Sequence, residues 1–203
     1  NGTTGTVGSA SNYSLASGTF DVTTRPVTLT GSRSYDGTTT VSNSNLTTFN
    51  NLVSGETLAL TGSGSVASAN VGSAKSVTLG SLALANNSGN ASNYSLSSAT
   101  LDIEKRPLNI SSTRAYDATT SISSSNITFG NLIGSETINK SGAVSTSSTN
   151  VGSYSTGNIN TGSLTLSDGS GGGVASNYTL TGGTHSAAIT KKPLGSSGTR
   201  VYD

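Results

Sequence analysis

Cysteine, methionine and tryptophan are absent from this 203-residue chain, proline and phenylalanine occur three times each, and there is one histidine. Without cysteine there is no disulfide framework and no thiolate metal site, although the redox compartment is left open. Charge is scarce too. Only 9% of residues are Asp, Glu, Lys or Arg, against roughly 25% in ordinary soluble domains. Ten basic residues nearly cancel nine acidic ones, with no run of either sign, so nucleic acid and anionic lipid are not expected as partners. No apolar run approaches the roughly 20 residues of a bilayer span, so no membrane span is expected in this segment. The opening NGTTGTVGSA also lacks the basic and apolar regions of a signal peptide. The chain therefore reads as an excerpt of a longer parent whose targeting signal lies elsewhere.

What fills the sequence is Ser, Thr, Gly and Asn, organised as an internal repeat. ASNYSL at 10–15 recurs at 91–96 and as ASNYTL at 175–180, and TTRPVTL at 23–29 matches EKRPLNI at 104–110 and TKKPLGS at 190–196. NLVSGET at 51–57 matches NLIGSET at 131–137, and ANVGS at 69–73 matches TNVGS at 149–153. The unit is about 81 to 86 residues long, too long for the roughly 20–50-residue units of solenoids, so autonomous domains in tandem are expected. The boundaries read as 1–24, the C-terminal strands of a preceding repeat; 25–105 and 106–191, two whole units; and 192–203, the first strand of a following one.

Inside each unit the period is two. Phe20 and Val22, Val27 and Leu29, Leu58 and Leu60, Val77 and Leu79, and Leu101 and Ile103 all alternate with polar neighbours, the pattern of strands with one buried face. Helical spacing is missing, and Thr and Val suit strands. Seven or eight short strands per unit predict a two-sheet sandwich. Tyr13, Tyr94 and Tyr178 open the penultimate strand, two residues before Leu15, Leu96 and Leu180, which predicts a tyrosine corner and an immunoglobulin-like topology rather than a β-grasp or barrel. The expected fold is all-β: tandem immunoglobulin-like β-sandwich domains in a semi-rigid rod. Glu104 to Leu108 should act as the stiff joint, with Pro107 extended and non-donating. A Gly/Ser replacement there is expected to free the angle between units that remain folded.

SYDGTTT at 34–40 returns 81 positions later as AYDATTS, and the chain ends VYD. Asp-Gly can mark a hairpin needing positive φ, but the second copy has Ala118 in place of Gly37. An Asx-type turn is expected instead, with Asp36 and Asp117 accepting backbone N–H groups from the following Thr pair and Tyr35 and Tyr116 burying their rings. Arg33, Arg114 and Arg200 precede each such Asp by three residues, which gives them a structural or joint-fixing role.

Chemistry is otherwise thin, and no catalytic, cofactor or metal residues are assigned. His185 aligns with Gly18 and Ala99 and reads as a lone surface residue; no second His or Cys completes a triad or zinc site. Glu56 and Glu136 give one acid per unit, not a glycosidase pair. The acids at Asp21, Asp36, Glu56, Asp102, Asp117 and Glu136 lack calcium-loop spacing. GSGGGVAS at 169–176 has no P-loop Lys-Ser/Thr and reads as a longer turn. Six of seven tyrosines, 13, 35, 94, 116, 178 and 202, belong to repeat motifs, leaving Tyr154 and no stacking platform for sugars. Sequons such as Asn45-Leu46-Thr47 and Asn126-Ile127-Thr128 arise by composition.

The ordered series Tyr35-Asp36-Gly37-Thr38-Thr39-Thr40, Asn70-Val71-Gly72 with Lys75-Ser76-Val77-Thr78, Ala91-Ser92-Asn93-Tyr94-Ser95-Leu96 and Ile103 before Arg106-Pro107 resembles the YDG repeat. That family is found in tandem in large bacterial exoproteins of the filamentous haemagglutinin type and is similar to MBG repeats. The resemblance implies a secreted or surface-attached bacterial protein, often adhesive, and transfers no functional residues. The resulting expectation is a stalk or filament segment of an extracellular, adhesin-like protein and not an enzyme, the alternative being a direct glycan- or protein-binding module. Its expected partners are neighbouring repeats of the same chain, the host or matrix ligand being unknown. Homotypic lateral association is expected through charge-poor strands at Ser141 to Thr149 and Ser155 to Leu166.

Overall fold

The computed structural model describes residues 9–200; Val201, Tyr202 and Asp203, with the third Tyr-Asp, lie outside the described residues. The described chain is all-β, with short 3-10 turns and no α-helix among the described residues. In the first unit the strands are β1 (Arg25–Ser34), β2 (Thr40–Ser42), β3 (Thr48–Asn50), β4 (Leu58–Thr61), β5 (Ser63–Val66), β6 (Gly72–Thr78), β7 (Ala83–Asn86) and β8 (Tyr94–Glu104). The second unit has β9 (Arg106–Pro107), β10 (Asn109–Ala115), β11 (Ser121–Ser123), β12 (Ile127–Gly130), β13 (Ile138–Ser141), β14 (Ala143–Thr146), β15 (Gly152–Ser155), β16 (Ile159–Asn160), β17 (Thr165–Asp168), β18 (Tyr178–Thr179) and β19 (His185–Thr190).

Inside the two units alternation becomes burial, whereas Phe20 and Val22 are exposed and lie in no strand. In β1, Val27 and Leu29 are buried while Thr30 is exposed; in β8, Leu101 and Ile103 are buried and Asp102 is exposed. The main sheet of the first unit runs β2-β5-β6-β8-β1-β3, with β4-β7 as a separate two-stranded sheet. Its centre is parallel: β1 and β8, the first and last strands, pair from Arg25↔Tyr94 to Ser34↔Glu104. The period-two pattern had not distinguished this from antiparallel ladders. It carries a consequence for the joint, because the chain leaves β8 at the same end at which β1 finishes.

Three expectations need correction. The two tyrosine-bearing final strands are one in the first unit: β8 is continuous for 11 residues, and the register slips at Val27/Thr28, leaving Ser97 as a bulge whose hydroxyl donates to Val27 O at 2.9 Å. Glu104 to Leu108 is not a separable linker. β9 pairs with β18, Leu108 is fully buried, and its N–H donates to Thr179 O at 2.8 Å, so a Gly/Ser replacement would damage the second unit itself. Ser141 to Thr149 is not a free edge either, since β14 lies between β11 and β16; β15 and β16 do end their sheets.

The apolar core does not stop at the joint. One cluster joins Val27, Leu29, Leu101 and Ile103 of the first unit to Leu108, Ile138 and Tyr178 of the second. A separate cluster around Ile110, Ile122, Ile127 and Val144 fills the body of the second unit.

Candidate functional site

The recurrent tyrosines meet where the two units touch. Asp36 builds the expected Asx turn: its Oδ1 accepts from Thr38 N–H at 2.9 Å and Thr38 Oγ1 at 3.0 Å. Asp117 repeats it, accepting from Thr119 N–H at 2.9 Å and Oγ1 at 2.8 Å. These hydrogen bonds, the backbone one first, hold the Asp117 carboxyl below its ordinary range. Gly37 takes φ +75° as the turn proceeds, and Ala118 takes +63°. Alanine tolerates that geometry poorly, and the Asx turn holds it there despite the Cβ strain.

Arginine locks each turn from beneath. Arg33 Nη1 donates to Asp36 Oδ2 at 2.7 Å and to Thr40 O at 2.7 Å, while Arg114 reaches Asp117 and the Thr119 carbonyl. Both guanidinium side chains are almost wholly buried and their carboxylates half exposed. The predicted structural role of Arg33 and Arg114 is therefore seen directly; the Asp that follows Arg200 lies outside the described residues.

So fixed, Tyr35 projects from the end of the first unit into the second. Its hydroxyl donates to Glu136 Oε1 at 2.6 Å, and Tyr178 donates to Oε2 of the same carboxylate at 2.6 Å. The Tyr178 oxygen in turn accepts from Ile133 N–H at 3.1 Å. The two rings stand edge to face with centroids 5.5 Å apart, an arrangement worth roughly 0.5–1.5 kcal/mol beyond burial. Burial, then the Glu136 hydrogen bond, pushes both phenols up to about 12. Beside them Asn177, fully buried, accepts from Val71 N–H at 2.9 Å and donates to Asn70 Oδ1 at 3.0 Å. Arg106 completes the seam: one nitrogen reaches Tyr35 O at 3.4 Å, and the others hold Asn131.

The first unit carries the same receiving set at its far end. Tyr94 donates to Glu56 and accepts from Val53 N–H, and the Glu56 hydrogen bond raises the Tyr94 phenol. Arg25 binds Asn51 as Arg106 binds Asn131. The predicted tyrosine corner is thus replaced by a longer reach, with each hydroxyl bonding about 40 residues upstream. Glu56 and Glu136, set aside as isolated acids, are the acceptors. The available signal was that they recur at one spacing from NL in a chain with few charges.

Other sequence candidates fall elsewhere. His185 is not a surface residue: it is 5% exposed, because it occupies the core position that Ala99 fills in β8. Its Nε2 lies 3.0 Å from Leu180 O. The glycine run at 169–173 does form a turn. A Cβ at Gly173 would lie 1.9 Å from Thr137 O, so only glycine lets this loop rest on the neighbouring backbone. Tyr154 donates to Asn150 O at 2.5 Å. A polar hollow of about 310 Å³ lined by Ser145, Thr146, Ser147, Gly157, Asn158 and Asn160 has no aromatic wall. Among the described residues no three His, Asp or Glu side chains gather as a metal cluster, and no helix is long and apolar enough to cross a membrane.

The seam therefore offers two phenol donors, one carboxylate, the Asn70 and Asn177 amides and the Arg106 guanidinium, all engaged in joining protein to protein. No curated protein and no solved structure matches the chain. A YDG domain is detected at residues 21–101, a span running from just ahead of β1 to Leu101 in β8.

Proposed function

We propose that this chain is a structural segment of the stalk or filament of a secreted or cell-surface bacterial protein of the adhesin-like, filamentous haemagglutinin type. In this reading its tandem sandwich units, immunoglobulin-like in layout, are held end to end as a semi-rigid rod. The observation that carries it is the Tyr35–Glu136–Tyr178 bridge with the Asn177 clasp, because it spends the recurrent polar and aromatic residues on unit-to-unit contact. A stalk needs fixed spacing, and a shared apolar cluster with charged hydrogen bonds across the seam opposes bending. A neutral, hydroxyl-rich surface suits an exposed spacer. No catalytic role is assigned to any residue.

A glycan array probed with the whole chain tests the reading. A spacer gives no saturable signal, whereas a specific, competable glycan would favour a binding module and overturn it.

A further inference from the structure

In each unit the strand by which the chain enters and the strand by which it leaves lie side by side and point the same way. β1 and β8 pair in parallel along all ten residues of β1, from Arg25↔Tyr94 to Ser34↔Glu104. Parallel strands begin at one end of a sheet and finish at the other. The chain therefore enters at Arg25 and departs at Glu104, about 30 Å away at roughly 3.3 Å per residue. Tension along the chain slides β1 against β8 and strains their evenly spaced hydrogen bonds together. An antiparallel first and last strand would instead be peeled from one end, each bond taking the whole load in turn.

The ladder is reinforced where it would otherwise be weak. At the register slip Ser97 Oγ donates to Val27 O at 2.9 Å, bridging the bulge, and beyond Ser34 the Tyr35 N–H donates to Glu104 O at 2.8 Å. The second unit repeats the plan in a weaker form. β10 and β19 pair in parallel from Ile110↔His185 to Ala115↔Thr190, over only the six residues of β19. Tyr116 N–H closes that ladder on Thr190 O at 2.9 Å. The two residues of β9 pair in parallel with β18, but residues 180–184 interrupt the final strand between the two pieces. In that gap the Thr184 N–H donates to the Asn109 side chain at 2.9 Å.

From this we infer that each unit is a clamp that bears tension along the chain, and that the two clamps are graded. The first, with one unbroken ladder, holds to the higher force. The second, with a shorter and divided one, opens first and releases length while the first stays folded. Forced opening is governed by the unfolding rate, so the grading belongs to the geometry of loading and need not follow equilibrium stability. The clamp stands on strand pairing alone; that such tension arises in use rests on the stalk reading above.

Single-molecule pulling of the whole chain tests this, and the absence of cysteine lets a pair of introduced cysteines fix where the load enters. Thr24, Thr39, Lys105 and Lys191 are exposed and lie outside the strands, so cysteine at these positions leaves the ladders intact. Handles at Thr24→Cys and Lys105→Cys shear β1 against β8. Handles at Thr39→Cys and Lys105→Cys pull the same two strands apart from their shared exit end. The peeled first unit should open at a force at least about twofold lower than the sheared one, with the same melting temperature. Handles at Lys105→Cys and Lys191→Cys shear the second unit, which should open at a lower force than the sheared first unit. Equal forces for the sheared and the peeled first unit overturn the clamp. A second unit that holds to the same force as the first, or a higher one, overturns the grading. A chain that binds a specific glycan and still shows both force differences removes the stalk reading and supports the clamp.

Discussion

The two units share one plan but differ in how far their main sheet holds together. In the first, β6 runs seven residues from its pairing with β8 to its pairing with β5, so six strands form one sheet. In the second, the equivalent stretch breaks at a 3-10 turn over Thr156–Asn158 into β15 and β16, and the sheet divides into β12-β10-β19-β15 and β11-β14-β16. The final strand is also split, since two extra residues separate Leu180 from His185 compared with Leu96 and Ala99. His185 sits at the break, its N–H donating to Thr156 Oγ1 at 2.8 Å. An imidazole in place of the Ala99 methyl, and Ala187 in place of Leu101, require a different interior. The receiving sets, by contrast, keep the same residue types in both units except for Val53 and Ile133. Interiors have diverged while seams have not, which is the pattern expected if contact between units is what the repeat has to preserve.

The largest effect should come from removing what the first unit has and the second lacks. Leu101→Ala deletes a fully buried side chain from the centre of the six-stranded sheet and should cost about 2–5 kcal/mol, read by hydrogen exchange of the β8 amides. Ala187→Gly at the matching position removes one methyl and should cost clearly less.

Next is the carboxylate. Glu136→Ala strips the acceptor from two buried phenols and should cost about 2–4 kcal/mol, given roughly 1.5–3 kcal/mol for a hydrogen bond to a charged group. Glu56→Ala affects only Tyr94 and should cost less. Denaturant titration that finds the two variants equal would remove the distinction between a filled and an unfilled seam.

Titration should report on the seam as well. Tyr35 and Tyr178 have phenols raised to about 12, above the ordinary value of about 10. The protonated forms are favoured in the folded seam, so their contribution is complete below pH 10 and is lost as pH rises through 12. Ultraviolet difference titration should show these two phenols ionising at lower pH in Glu136→Ala than in the wild-type chain, because the hydrogen-bonding carboxylate that helps raise them is gone.

The smallest change concerns the turns. Ala118→Gly relieves a left-handed alanine and should stabilise the second unit by roughly 1 kcal/mol. Gly37→Ala should do the opposite and also disturb the seam, because a Cβ there lies 2.8 Å from Ile133 Cγ2.

Much of this was readable from residues alone. Period-two alternation located the buried faces of β1, β4 and β8, and the Asx turns followed from Tyr-Asp before a Thr pair, since that chemistry is local. Direction of pairing was not readable, because alternation is the same in parallel and antiparallel strands. Nor was the partner of Tyr35: its acceptor lies 101 residues away in another unit, and Glu136 by itself carries no spacing that announces such a contact. His185 was placed outside by residue type, although its alignment with Ala99 in an alternating strand pointed inward. The joint reads as a stiff linker because Pro107 cannot donate and keeps the chain extended; the fully buried Leu108 shows that it is the first course of the next unit's wall.

The central claim is that the Tyr35–Glu136–Tyr178 seam fixes one unit against the next, and residual dipolar couplings on the whole chain measure this directly. Amides of residues 25–104 and 106–190 should fit a single alignment tensor in the wild-type chain and two distinct ones in Glu136→Ala. Separate tensors in the wild-type chain would contradict it.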